Sequence, residues 1–64
     1  MMLVAILYFT LDGYGRNHQA PVVYNNEFVG WVRTEVVQAV NAEEALDQAK
    51  PYDDETVLNS VELE

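Results

Sequence analysis

An apolar run over residues 3–11 opens the chain and predicts a buried β-strand. Alternate residues of a strand face opposite sides, so this segment has two apolar faces. One face holds Leu3, Ala5, Leu7, Phe9 and Leu11, and the other holds Val4, Ile6, Tyr8 and Thr10. A strand that is apolar on both faces is expected at the centre of a sheet, with cover on at least one side. The glycines of residues 12–15 permit a reversal after it.

A β-hairpin is predicted next. Residues 22–24 form a short strand, and Asn25 and Asn26 tolerate the positive φ that a two-residue hairpin turn requires. A long third strand then covers residues 27–40, with Gly30 marking a bulge or a close approach of another backbone. An alternative starts a helix at Glu35, because Val36, Ala39, Ala42, Leu46 and Ala49 also fit helical spacing.

A capped helix follows the third strand. Asn41 is a good N-cap, and Glu44 three residues later completes a capping-box pattern. The helix is predicted from Ala42 to about Lys50, where Pro51 stops it. Its apolar stripe comprises Ala42, Ala45, Leu46 and Ala49.

A last strand is predicted over residues 56–64. The period of two assigns Val57, Val61 and Leu63 to one face and Leu58, Ser60, Glu62 and Glu64 to the other. The order is therefore β-β-β-α-β. This predicts a single α+β domain over residues 1–64, in which a small antiparallel or mixed sheet carries one helix packed on one face.

The bulk properties fit a small soluble domain. A length of 64 residues lies near the lower limit for folding without disulfides or metals. The chain has no cysteine, which favours a reducing, cytoplasmic setting. The apolar start is about half as long as the ~20 residues of a spanning helix, and no basic residue precedes it. We therefore expect a buried strand there rather than a signal peptide or membrane anchor.

Negative charge is concentrated at the end of the chain. The formal net charge is −8, and residues 43–64 hold eight carboxylates against one basic residue, Lys50. The eight carboxylates are Glu43, Glu44, Asp47, Asp53, Asp54, Glu55, Glu62 and Glu64. Such an asymmetry creates a directional field and therefore points to the kind of partner that the protein binds.

No set of residues suggests catalysis, so an enzyme is not expected. The one histidine, His18, falls in a polar loop, and the only serine, Ser60, is predicted among outward carboxylates that disfavour an alkoxide. Asp53, Asp54 and Glu55 offer oxygen ligands for Ca²⁺ or Mg²⁺, but they are consecutive and lack the glycine of a calcium loop. We interpret them as a solvated connector and expect no metal site and no cofactor.

The carboxylates instead suggest mimicry of a nucleic acid. Three Lys and Arg residues are too few to neutralise phosphates, so direct nucleic-acid binding is not expected. Glu43 and Asp47 lie one helical turn apart, and Glu62 and Glu64 share a strand face. Fixed carboxylates at such intervals imitate a phosphate backbone. The predicted contacts with a basic partner are the eight carboxylates and Tyr14, which lies at a glycine-flanked loop tip.

A resemblance gives this partner a candidate identity. Residues 37–49, with sequence VQAVNAEEALDQA, resemble a strand-into-helix unit found in many small proteins of phages and mobile elements. In size and acidity the whole chain resembles phage-encoded anti-CRISPR proteins, several of which are DNA mimics. The resemblance implies an inhibitor, acting in the host cytoplasm, that docks on a Cas subunit or crRNA-guided complex and blocks target DNA.

A second hypothesis assigns the acidity to solubility alone. The chain is then a non-enzymatic interaction module, a monomer or homodimer, that binds a protein through an apolar patch or a sheet edge. Its anchors are Tyr14, Trp31 or Tyr24.

Overall fold

A computed structural model describes residues 1–11 and 19–63. Four strands form one antiparallel sheet in the order β2-β3-β1-β4, and a short helix followed by a 3₁₀ turn lies between β3 and β4. The elements are β1 (Met2–Thr10), β2 (Ala20–Tyr24), β3 (Glu27–Ala39), α1 (Ala42–Ala45), the 3₁₀ turn (Leu46–Gln48) and β4 (Thr56–Glu62). The predicted α+β class and the order β-β-β-α-β are confirmed.

Strand β1 lies at the centre of the sheet, as its two apolar faces predict. Leu7, for example, is opposite Thr34 of β3 on one side and Asn59 of β4 on the other. Val4, Ile6 and Tyr8 face the helix and are fully buried. We call this side of the sheet the helix face. The opposite side, which carries Leu3, Leu7 and Phe9, is called the open face.

The predicted hairpin joins β2 to β3. Asn25 and Asn26 have φ angles of 53° and 65°, the left-handed values that a two-residue turn with matching twist requires. The alternative helix starting at Glu35 is wrong, since Glu35 is opposite Ile6 and Ala39 is opposite Met2 in the β1–β3 ladder. The β-branched residues of this segment favour the extended form.

Gly30 is a point of close approach, as predicted, beside an irregularity in the β2–β3 pairing. A Cβ atom on Gly30 would lie 2.6 Å from Cζ of Phe9 and would also clash with the carbonyl oxygen of Thr10. The register shifts between Val22 and Val23. The shift brings Phe28 onto the same face as Trp31, and their rings meet edge to face at 5.3 Å.

The helix begins as predicted but is shorter. The Asn41 side chain accepts a hydrogen bond of 2.8 Å from the Glu44 N–H, which satisfies one of the unpaired donors at the helix start. Helical structure ends at Gln48 instead of near Lys50. Two causes act together: Pro51 disfavours a helical residue before it, and the Lys50 N–H donates to the Tyr8 hydroxyl at 3.0 Å.

The predicted face assignment of the last strand is wrong at Val57. The β1–β4 register shifts between Leu7 and Tyr8, so Val57 is opposite Tyr8 while Ser60 is opposite Ile6. The extra residue of this bulge moves Val57 onto the helix face, where it packs against the core. Regular strand structure ends at Glu62, although the Leu63 N–H still donates to the Leu3 carbonyl at 2.9 Å.

The buried core is small and lies between the helix and the sheet. It comprises Val4, Ile6, Tyr8, Ala39 and Ala45, with Met2, Val37, Ala42, Ala49 and Val57 packed around it. Alanines on the helix allow its backbone to approach the sheet closely. Within the described residues, no helix is both long and apolar enough to cross a membrane.

Candidate functional site: the acidic helix layer

The helix and the 3₁₀ turn carry three of the predicted partner contacts. Glu43 and Glu44 lie in the first turn of α1, and Asp47 lies in the 3₁₀ turn. All three are exposed because the buried side of this segment is formed by Ala45. The first-turn position also favours carboxylates through the partial positive charge of the helix start.

Glu62 lies next to the start of the helix, although it comes from β4. Its Oε2 accepts a hydrogen bond of 3.4 Å from the Ala42 N–H, another donor that the helix itself leaves unpaired. The fold thereby brings Glu62 beside Glu43 and Glu44. We call these three residues the acidic corner.

Ser60 supports the same junction. It shares a strand face with Glu62, as predicted, but this face is turned toward the helix and not outward. Its Oγ donates to the Ala42 carbonyl oxygen at 2.7 Å, because Ser60 lies opposite Ile6 on the helix face. Ser60 thus joins the last strand to the first residue of the helix.

Asp53 and Asp54 form the turn between Tyr52 and Glu55. The Glu55 N–H donates to the Tyr52 carbonyl at 2.9 Å, which closes the turn. Both aspartates are exposed. This turn lies on the helix side of the sheet, since the Tyr52 ring stacks over Arg33 on that side.

Glu55 differs from the carboxylates described above because it is buried and pairs with a residue of the same chain. Its side chain is fully buried and accepts two hydrogen bonds from Arg33, at 3.0 Å from Nε and 2.8 Å from an Nη. The Tyr52 N–H (2.8 Å) and the Gln19 side chain (3.2 Å) donate to the same carboxylate. Glu55 was predicted as a partner contact in a solvated connector, but in this fold its oxygens are occupied by donors of the chain itself.

The environment of Glu55 keeps it ionised. The hydrogen bonds from Arg33 lower the pKa of the Glu55 carboxyl to about 2, against the opposing effect of burial. The same contact raises the pKa of Arg33 above its ordinary value. This pair is therefore charged across the physiological range and anchors the connector to β3.

Arg33 is held by more than its ion pair. Its guanidinium lies 4.0 Å from the centroid of the Tyr8 ring and 4.7 Å from that of Tyr52, so it is stacked between two aromatic rings. It also donates to the Lys50 carbonyl at 3.3 Å. The Tyr8 hydroxyl donates to Glu35 at 2.8 Å, and burial raises the pKa of that hydroxyl.

Sequence reasoning missed this network of Tyr8, Arg33, Glu35 and Glu55. A clue was present in β3, where strand alternation puts Arg33 and Glu35 on the same face as the apolar Val37 and Ala39. Charged residues on a buried face require partners. The partner of Arg33 is 22 residues away in the chain, and local patterns do not identify it.

The two faces of the sheet differ sharply in charge. The exposed carboxylates of residues 43–63 lie on the helix side and form a surface that we call the acidic layer: Glu43, Glu44, Asp47, Asp53, Asp54 and Glu62. Over residues 1–11 and 19–63, Lys50 is the only exposed basic side chain, because Arg33 is enclosed by its pair. The open face carries no charged side chain in that part of the chain, except for Glu27 beside the hairpin turn.

The remaining predicted contacts are placed as follows. Tyr14 and Glu64 lie outside the described residues, as does His18, to which no contact was assigned. Tyr24 is 71% exposed, while Trp31 is half-buried beside Phe28. The described residues bring no three His, Cys, Asp or Glu side chains together as metal ligands, and Glu55 of the acidic triplet is already bound by Arg33.

Comparisons with protein-family models, with curated proteins and with solved structures found no match to this chain.

Proposed function

We propose that this protein is a small, non-enzymatic inhibitor that occupies the basic nucleic-acid-binding surface of another protein. The observation that carries the proposal is the one-sided distribution of charge, in which six exposed carboxylates lie on the helix side of the sheet. A surface with that charge attracts basic sites that normally hold phosphates, and it repels nucleic acid itself.

The placement of these carboxylates on neighbouring elements also supports mimicry. The acidic corner combines side chains from α1 and β4, and Asp53 and Asp54 add charges on a tight turn. The buried Glu55–Arg33 ion pair holds this turn against β3, so Asp53 and Asp54 extend from an anchored backbone. A rigid array loses little conformational entropy on binding. Glu55 is therefore a support of the surface and no longer a proposed contact.

The proposed partner is a CRISPR–Cas complex in the cytoplasm of a host cell. This part of the proposal rests on the resemblance to acidic anti-CRISPR proteins in size and charge. Tyr14 and Glu64 stay in the proposal as sequence-based contacts.

A competition experiment tests the proposal. Purified crRNA-guided complexes are mixed with labelled target DNA and increasing amounts of this protein, at about 50 and about 200 mM salt. We expect the protein to displace the DNA and to bind its partner at least about tenfold more weakly at the higher salt, because exposed charges are screened.

Two variants with the same net charge provide the matched comparison. Asp53→Asn removes a carboxylate from the proposed surface, and Glu27→Gln removes one at the distant hairpin. The first should weaken binding more than the second. Equal effects of the two variants, or binding that does not depend on salt, would contradict charge mimicry.

The alternative function is a protein-interaction module that uses the open face. It is favoured by exposed apolar side chains at the centre of that face, such as Val36 and Val61. For this alternative, the protein should not displace DNA from the Cas complex, binding to its own protein partner should tolerate salt, and a polar substitution of Val36 should weaken that binding more than Asp53→Asn does.

A further inference from the structure

The open face of the sheet has no cover among the described residues. The helix, the 3₁₀ turn and the connector at 49–55 all make their contacts on the other side, with Val4, Tyr8 and Arg33. We propose that a second copy of this chain covers the open face, with two sheets stacked face to face. This inference concerns a different surface from the acidic layer and does not depend on the proposed function.

The composition of the open face suits a buried interface. Leu3, Leu7, Phe9 and Val32 are half-buried by their neighbours, while Val36 and Val61 are 54% and 46% exposed. The polar members, such as Thr34 and Asn59, are uncharged. An apolar centre without charges is typical of surfaces that pair with their own copy.

The sheet edges are less suitable for pairing than this face. Pro21 on the β2 edge lacks an N–H, and the β2–β3 register shifts beside it. On the other edge, β4 is interrupted by its own bulge and ends at Glu62. Prolines, bulges and charges are the devices that prevent edge-to-edge association. Association through the face is therefore favoured over extension of the sheet.

The distribution of charge over the two sides of the sheet favours a second copy as the occupant of the open face. The chain carries a net charge of −8, so any contact between helix layers would bring like charges together. Face-to-face stacking places the two acidic layers on opposite outer sides of the dimer. The centre of the open face is uncharged and offers no counter-charge to a strongly basic partner, whereas the uncharged centre of a second copy can pack against it.

The available area is sufficient for a modest dimer. The strands contain nine, five, thirteen and seven residues, and each residue covers about 16 Å² of sheet, so the face measures about 550 Å². Two such faces bury about 1,100 Å² before surface relief is counted, close to the ~1,200 Å² at which stable interfaces begin. A reversible dimer, concentration-dependent in the micromolar to submillimolar range, is the expected result.

The dimer has a defined architecture, with layers in the order helix, sheet, sheet, helix. Stacked sheets lie about 10 Å apart. Each acidic layer stays accessible, so one dimer presents two copies of the surface described above.

Sedimentation equilibrium of the full chain tests this inference, at loading concentrations from about 10 µM to about 1 mM. The average mass should rise from 7.3 kDa toward twice that value. Added salt should strengthen association, because it screens the repulsion between acidic layers. This is the opposite of the salt effect expected for a basic partner, so the two proposals fail independently.

Two variants locate the contact. Val36→Glu puts a carboxylate at the centre of the open face, and Leu46→Glu adds the same charge to the 3₁₀ turn at a similarly exposed site. Both positions are exposed in the monomer, so circular dichroism should show intact folds. Val36→Glu should weaken dimerisation by about tenfold or more, because it buries a charge, while Leu46→Glu should change it little.

A chain that stays monomeric to about 1 mM would overturn the inference. So would a dimer that Leu46→Glu disrupts and Val36→Glu does not.

Discussion

The two faces of the sheet differ in what covers them and in how their polar side chains are paired. On the helix face, apolar side chains meet the helix, and a polar network of Tyr8, Arg33, Glu35 and Glu55 joins three segments of the chain. On the open face, apolar and uncharged polar side chains lie side by side, with Glu27 as a charge near the hairpin turn, and no covering layer lies over them in the described residues. The buried core and the polar network, both formed within one chain, therefore lie on the helix face.

This difference predicts where the molecule is sensitive. Buried charges are costly when one partner is lost, since the other is left without water or a counter-ion. Exposed apolar residues tolerate substitution in the monomer, because their environment changes little on unfolding. Large stability effects are expected on the helix face, and effects on association are expected on the open face.

The largest expected effect comes from Glu55→Gln. The Arg33 side chain is only 12% exposed, so loss of the carboxylate leaves a nearly buried cation unpaired and should cost about 3–5 kcal/mol of unfolding free energy. Urea unfolding, followed by fluorescence of the single Trp31, measures this loss. Asp53→Asn makes the same charge change on the exposed turn and should cost less than about 0.5 kcal/mol. Similar losses in the two variants would show that the pair does not anchor the connector.

Acid should remove the contribution of the same pair. The folded pKa of Glu55, about 2, lies below its ordinary value of 4.5, so the stabilisation is complete above pH 4.5 and is lost as the pH falls toward 2. The difference in unfolding free energy between the wild type and Glu55→Gln should therefore shrink by about 3 kcal/mol between pH 6 and pH 2. Protonation of the other carboxylates lowers their mutual repulsion in both proteins alike, so this contribution cancels in the difference between the wild type and Glu55→Gln. A difference that is constant with pH would contradict the assignment.

A smaller loss is expected from Gly30→Ala on the open face. The new methyl group would clash with the Thr10 carbonyl and the Phe9 ring, and the backbone cannot retreat as a side-chain end can. Overpacking of this kind costs about 1–3 kcal/mol. Gln38→Ala, an exposed change on the same strand and face, is the control for thermal unfolding and should stay within about 0.5 kcal/mol. If Gly30→Ala leaves the unfolding free energy unchanged, β1 and β3 must separate easily at this point.

The positions of the elements follow largely from local patterns. The two apolar faces of β1, the paired asparagines of the hairpin and the Asn41 cap each act within a few residues, so the sequence predicts them correctly. The end of the helix was predicted less well, because a hydrogen bond to Tyr8 from 42 residues away helps to set it. The bulge in β4 was missed for the same reason: it depends on how β4 lies against β1.

The sequence by itself determined the concentration of negative charge and the alternation of apolar residues. The tertiary structure decided which charges remain available, since only folding brings Arg33 onto Glu55 and the helix start onto Glu62. It also decided that the helix covers the core side chains of one apolar face, while no described residue covers the other face. Charge and periodicity are properties of neighbours in the chain, whereas pairing and burial depend on residues that are distant in sequence and close in space.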